Sequence, residues 1–220
     1  MSLKVGVVAH VSRQEHFERL SDEVDADIVC VDDGCSSADA TVNHLSALQW
    51  MAKHARLGDW AVLLEDDAIV VPGFREEAQA CLDHAPTEVV SFYLGTGYPA
   101  QHQRAIADAV HKDVRWILHP WMRHAVAYAV QGELLPGLIE KVSEKSRENW
   151  APDDAISAFC LRRGCSVSYS NPSLVDHNDF LAPVATSRTH LGMPTFGRKR
   201  SRRAHRFGTP LLWDATSTTV

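Results

Sequence analysis

The sequence predicts an α/β domain, with a central, mostly parallel or mixed sheet flanked by helices. Three observations carry this expectation. Short, nearly continuous apolar runs recur along the chain, which is the pattern of strands covered on both faces. They alternate with longer stretches of helical periodicity across short connections. Two of the early runs also end abruptly in acids, where ligands sit outside the carboxyl ends of strands in such folds. A chain of 220 residues with 45% hydrophobic residues suits one compact domain.

The first strand is expected at Leu3–Val8 (LKVGVV), followed by a charged, periodic helix over Gln14–Val24. Ile28–Val31 repeats the strand pattern and runs into Asp32-Asp33-Gly34, a polar turn. From Ala40 to Leu57, Val42, Leu45, Leu48, Trp50–Ala52 and Ala55 fall at helical spacing, with Gly58 as a stop signal. Trp60–Leu64 is the next strand and ends in Glu65-Asp66-Asp67; a further apolar stretch, Ala68–Val71, is closed by Pro72-Gly73. Phe74–His84 reads as a helix, Val89–Leu94 as a strand, Gln101–His111 as a helix, and Arg115–Leu118 and Ala125–Val130 as strands. Gly132–Lys145 carries Leu134, Leu135, Leu138, Ile139 and Val142 on one helical face. A last helix begins at Pro152, a favoured first helical position, and ends in Arg162-Arg163-Gly164. Ser166–Ser170 is a short strand, Asn171-Pro172 a turn, and Leu174–His177 a return toward the same end of the sheet. Asn178–Val220 has no clear periodicity.

The net charge of −6 conceals two unlike parts. Residues 1–179 hold 15 Lys and Arg against 27 Asp and Glu, whereas residues 180–220 hold 7 against one acid, Asp214. The expected division is therefore a catalytic domain over 1–180 and a basic C-terminal tail or lid over 181–220. Five cysteines (Cys30, Cys35, Cys81, Cys160 and Cys165) are an odd number without a C-x-x-C pair, the usage of a reduced, cytoplasmic protein whose cysteines pack as small hydrophobes. No apolar run is long enough to cross a bilayer, and the first residues enter a strand pattern at once, so neither a membrane nor a secretion signal is expected.

Chemistry concentrates in four places. Glu65-Asp66-Asp67 gathers negative charge at the mouth of a buried strand, where a hard divalent ion such as Mg2+ or Mn2+ finds oxygen ligands and bridges them to phosphates. Asp32 and Asp33 either accept hydrogen bonds from a base or ribose, or start a turn before a helix capped by Ser37 or Asp39. Asp153 and Asp154 sit where the helix dipole stabilises acids without any function, or where one carboxylate faces a cleft as a general base. His177, one of 12 histidines, is a surface or structural residue by default, although imidazole also joins carboxylates around Mn2+-type ions.

In this order, a first strand with a polar exit (Val8-Ala9-His10, then Arg13), a second ending in Asp32-Asp33-Gly34 and a third ending in Glu65-Asp66-Asp67, residues 3–180 resemble the GT-A fold of nucleotide-sugar glycosyltransferases, a Rossmann-type architecture. Glu65-Asp66-Asp67 is similar to the family's Asp-x-Asp motif, with Glu in the first place. Trp150-Ala151-Pro152-Asp153-Asp154 resembles the acidic helix start that supplies the base in inverting members, and His177 resembles their late metal-binding histidine. The resemblance implies that Ala9, His10, Arg13, Asp32 and Asp33 surround the nucleotide of a UDP-sugar. It implies that Glu65 and Asp66 reach the ribose or metal, that Asp67, Asp66 and His177 hold Mn2+ or Mg2+, and that Arg188 joins the donor site. Asp154 or Asp153 would deprotonate the acceptor hydroxyl, with inversion.

Aromatics in Phe92–Tyr98 and Trp116–Arg123 lie near strand ends, where a sugar or a flat base could stack, and core packing accounts for most of them equally well. Gly197–Phe207 (GRKRSRRAHRF) packs Arg198, Lys199, Arg200, Arg202, Arg203 and Arg206 together and matches phosphates, either of the donor or of a nucleic acid. The size, the Ser187-Arg188-Thr189-His190 stretch and the basic tail are similar to GT-A enzymes of tailed bacteriophages. That likeness implies a hydroxymethylated base in phage DNA as acceptor, flipped toward Asp153 or Asp154, or else a virion protein or glycan. Two readings of other classes are a non-catalytic nucleic-acid-binding α/β module and a metal-dependent nucleotidyl- or phosphotransferase; no G-x-x-x-x-G-K-[ST] loop supports the latter.

Overall fold

The computed structural model describes residues 2–33, 40–96, 100–146, 150–179 and 202–220. In chain order the elements are β1 (Leu3–His10), α1 (Gln14–Glu23), β2 (Ile28–Asp32), α2 (Ala40–His54), β3 (Trp60–Glu65), β4 (Ala68–Val70), α3 (Phe74–Leu82) and β5 (Val89–Ser91). They continue with α4 (Gln103–Val110), β6 (Trp116–His119), β7 (Ala127–Gln131), α5 (Leu135–Ser146), α6 (Pro152–Arg163), β8 (Val167–Ser170), β9 (Val175–His177) and β10 (Ser217–Thr219). Among the described residues they form an eight-stranded mixed sheet in the order β10-β6-β8-β5-β7-β3-β1-β2, and a separate pair, β4 with β9. The β1–β2, β1–β3, β5–β8 and β6–β10 pairings are parallel; β7 runs antiparallel to both β3 and β5.

Strand parity explains the continuous apolar runs. In β3, Trp60, Val62 and Leu64 pack with Phe17 and Leu20 of α1 and Phe74 and Ala78 of α3 on one face of the sheet. Ala61 and Leu63 pack with Leu48 and Met51 of α2, Leu135 and Leu138 of α5 and Phe159 of α6 on the other. Each large side chain buried this way contributes about 1.5–3 kcal/mol. In β1, Gly6 lets α2 approach, since a Cβ there would come within 2.7 Å of the Met51 Cε.

Several boundaries shift for local reasons. The helix expected over Ala40–Leu57 ends at His54, because the Asp59 carboxylate takes the Arg56 N–H at 2.9 Å. The strand expected over Val89–Leu94 stops at Ser91, whose hydroxyl donates to the Tyr93 carbonyl at 2.9 Å and turns the chain out of the ladder. The α6 helix starts at Pro152, as expected, and closes at Gly164 in the left-handed conformation (φ 68°).

Residues 202–220, part of the expected tail, cross the folded sheet. Ala204 bridges Gly95 and Phe207 bridges Ser173. Trp213 is buried against Trp116, whose indole N–H donates to the Asp214 carbonyl at 2.8 Å. The exposed Ser-Thr-Thr of β10 extends the sheet beyond β6, a strand with no apolar pattern to announce it. Ser37, Asp39, Cys35, Arg188, the Ser187–His190 stretch and Arg198–Arg200 lie outside the described residues. No described helix is long and apolar enough to cross a membrane.

Candidate active site

The carboxyl ends of β1, β2 and β3 lie side by side. Register places His10 beside Asp32 and Val8 beside Glu65. The Asn43 side chain of α2 donates to the carbonyls of Ala9 at 3.0 Å and Cys30 at 2.9 Å, tying these two strand ends together. Sequence reasoning passed over Asn43, because a polar residue on a helix carries no signal of such a clamp. Asp32 is half-buried and Asp33 exposed.

The acids after β3 diverge. Glu65 continues the parity of Ala61 and Leu63 and faces α2, where its Oε1 lies 3.5 Å from His44 Nε2. His44 is buried, stacks on Tyr128 and pairs its Nδ1 with the Tyr128 hydroxyl at 3.1 Å. Asp66 turns to the other side. Its Oδ2 accepts the His10 backbone N–H at 2.8 Å and its Oδ1 accepts from the Arg13 guanidinium. Burial pushes the Asp66 carboxyl above its usual range, against the hydrogen bonds from His10 and Arg13. The same Arg13 nitrogen reaches Asp67 Oδ2 at 3.1 Å, so one guanidinium bridges two buried carboxylates.

The β4–β9 pair joins Asp67 to a distant part of the chain. Ala68 stands opposite His177, and the Asn178 N–H donates to the Asp67 carbonyl at 2.8 Å. His177 Nε2 thereby lies 3.3 Å from Asp67 Oδ2, while its Nδ1 meets Asp179 Oδ1 at 3.0 Å. Burial raises the Asp67 carboxyl, but His177, Arg13 and Arg202 together outweigh it and hold the group below its usual range. Asp67 Oδ1 and His177 Nε2 are buried without a hydrogen-bond partner, one oxygen and one nitrogen donor of the kind Mn2+ accepts. These two atoms fit a divalent ion. Asp66 fits less well, since both of its oxygens are engaged. Among the described residues no three His, Cys, Asp or Glu side chains converge on one point, so further ligands would come from a bound diphosphate or water.

Asp153 and Asp154 take different positions in the first turn of α6. Asp154 is exposed. Asp153 is half-buried and accepts the Asp154 N–H at 3.0 Å; burial first, then the charges of Asp154 and Glu65, push its carboxyl up to about 7. A carboxylate poised near neutrality suits a general base.

The C-terminal segment completes the wall beside His177. The Asp179 carboxylate accepts the Arg202 N–H at 3.0 Å, buried Asp176 accepts the Ala204 N–H at 2.7 Å and pairs with the Arg203 guanidinium, and the buried Tyr93 hydroxyl donates to the Arg202 carbonyl. Of the aromatics expected near the strand ends, Phe92, Tyr93 and Trp116 are core, whereas Trp121 is 38% exposed.

No family model matches the chain, and no curated protein matches it in sequence. Solved structures do match. One is a glycosyltransferase involved in the glycosylation of the major capsid of PBCV-1, at 10% identity and a TM-score of 0.51 over 81% of this chain and 94% of that one. A CTP:phosphocholine cytidylyltransferase from Streptococcus pneumoniae aligns at 7% identity and a TM-score of 0.42 over 80% and 93%. A STIV protein aligns at 11% identity and a TM-score of 0.44 over 84% and 99%. Only the first reaches one half, and it bears on the fold alone: this chain has a glycosyltransferase-like, Rossmann-type α/β fold.

Proposed function

We propose that the protein is a glycosyltransferase that moves a sugar from a nucleotide-diphosphate sugar, with UDP-sugars favoured, to an acceptor hydroxyl. The observation that carries this reading is the meeting of Asp67 with His177, with His177 Nε2 3.3 Å from Asp67 Oδ2 and Asp67 Oδ1 buried without a hydrogen-bond partner at the strand ends. Those two residues would hold Mn2+ or Mg2+, which when bound supplies Lewis-acid neutralisation of the departing diphosphate. Asp32 and Asp33 accept hydrogen bonds from the base or ribose beside Ala9 and His10, and Arg13 fixes the carboxylates of Asp66 and Asp67 in place. Asp153 takes the acceptor hydroxyl proton as the new oxygen–carbon bond forms and the bond to the diphosphate breaks on the opposite face, which inverts the anomeric centre. Arg202, whose charge is felt at Asp67, adds a cation facing the diphosphate.

For the acceptor, a hydroxymethylated base in phage DNA is supported by the basic run at Gly197–Phe207. Of the described cations in that run, Arg203 is already neutralised by buried Asp176, which favours the other acceptor class, a glycan or a glycosylated virion protein. The Arg13 bridge favours a second reading of the donor step, in which the guanidinium balances the carboxylates and the donor binds without a divalent ion. Calorimetric titration with UDP and a panel of nucleotide sugars, with and without Mn2+, tests both. Mn2+-dependent binding of one nucleotide is expected. Equal binding in its absence selects the Arg13 reading, and no binding to any of them overturns the glycosyltransferase in favour of a nucleic-acid-binding module.

A further inference from the structure

Trp121 is, with Trp150, one of two exposed tryptophans among the described residues. It is 38% exposed, yet its backbone is fixed on both sides by one buried tyrosine: the Arg123 N–H donates to the Tyr169 hydroxyl at 2.7 Å, and that hydroxyl donates to the Trp121 carbonyl at 2.8 Å. The Arg123 guanidinium lies over the indole, 4.7 Å from its centroid. His119 and His102 meet the ring edge-on at 5.6 and 6.3 Å. Arg123 also donates to His119 Nε2 at 2.7 Å, and burial, with Arg123 second, lowers His119 to about 4, so the imidazole is neutral at physiological pH. Folding alone gains little from holding a large aromatic half in water, whereas a rigid aromatic presented at low entropic cost is what a binding surface needs.

Its position is tied to the candidate base. The Ser157 hydroxyl lies 2.8 Å from the Asp153 carbonyl and 3.0 Å from the Met122 carbonyl, so one side chain spans the first turn of α6 and the loop that carries Trp121.

We infer that Trp121, with Arg123, His119 and His102 behind it, is a stacking platform for a neutral carbohydrate ring, the acceptor sugar or the residue next to it; its role as an acceptor subsite rests on the glycosyltransferase reading. A sugar presents an apolar face of C–H groups to the indole face that Arg123 does not cover. A nucleobase would also stack, but a nucleic acid brings phosphates that need a row of cations. Here the neighbouring candidate base, Asp153, has the charges of Asp154 and Glu65 around it, and residues 1–179 hold 15 Lys and Arg against 27 Asp and Glu.

The test is saturation-transfer NMR on the full chain with maltotriose, with N,N′-diacetylchitobiose and with a single-stranded oligodeoxynucleotide containing hydroxymethylcytosine. UDP binding to the unsubstituted protein is titrated alongside. Saturation of at least one saccharide is expected, weakened about tenfold in affinity by Trp121→Ala and largely restored by Trp121→Phe. Melting temperatures identify any variant that fails to fold. Saccharide binding unchanged in Trp121→Ala, no saccharide binding at all, or Trp121-dependent binding of the oligonucleotide alone each overturns the platform. Trp121-dependent saccharide binding in a protein that binds neither UDP nor any nucleotide sugar of the calorimetric panel keeps the platform and overturns the transferase.

Discussion

Replacing Asp153 by Asn should make the protein more stable and inactive at once. The Asp153 carboxyl titrates near 7 in the fold against 3.8 in an unfolded chain, and each pKa unit is worth about 1.4 kcal/mol, an upper bound of about 4 kcal/mol for the cost of keeping its charge. Water reaches the half-buried group, and the start of α6 favours an acid, so about 2 kcal/mol is the figure to expect. The sign follows from proton counting. Below about pH 4 both states hold the proton and nothing is lost; between about 4 and 7 only the folded chain holds it, so stability falls as pH rises; above 7 the full cost is present. Asn carries no such charge and still accepts the Asp154 N–H. Scanning calorimetry should therefore find Asp153→Asn melting about 4 °C above wild type at pH 8, the gap closing toward pH 4. The wild-type transfer rate should drop tenfold per pH unit below about 7. A gap that does not change with pH, or a variant that melts lower at pH 8, would refute the reasoning.

Two further substitutions probe the rest of the site and its frame. Asp67→Ala leaves Arg13 its contact with Asp66, so the fold should persist while Mn2+-dependent UDP affinity falls by about 100-fold or more in calorimetry; retained metal-dependent affinity would remove Asp67 from the site. Trp213→Ala deletes a buried ring packed on Trp116 at 5.9 Å, and urea unfolding should show a loss of about 3–5 kcal/mol. An unchanged midpoint would mean that residues 202–220 do not hold to the sheet.

Most of the sheet was legible because its central strands are buried on both faces, so β1 and β3 read as nearly continuous apolar runs ending where polar residues begin. What did not announce itself has a common cause. β10 is an exposed edge of Ser and Thr, held through backbone bonds and through Trp213, and so has no apolar period. The Asn43 clamp and the His44–Tyr128 pair behind Glu65 depend on which way a side chain turns across the sheet. Glu65-Asp66-Asp67 stood out as one acidic motif, yet Glu65, the last residue of β3, faces α2 while Asp66 turns to His10 and Arg13 just before α1. The two acids opening α6 were indistinguishable in sequence; only the packing of the helix separates half-buried Asp153 from exposed Asp154.

The hydrogen bond between the Asp179 carboxylate and the Arg202 N–H does more than fasten the C-terminal segment. The same carboxylate also meets His177 Nδ1, at 3.0 Å. One side chain thus holds both the imidazole and the backbone where residues 202–220 begin. That segment acts as a brace on the Asp67–His177 meeting, and a substitution that loosens it is felt at the imidazole through Asp179.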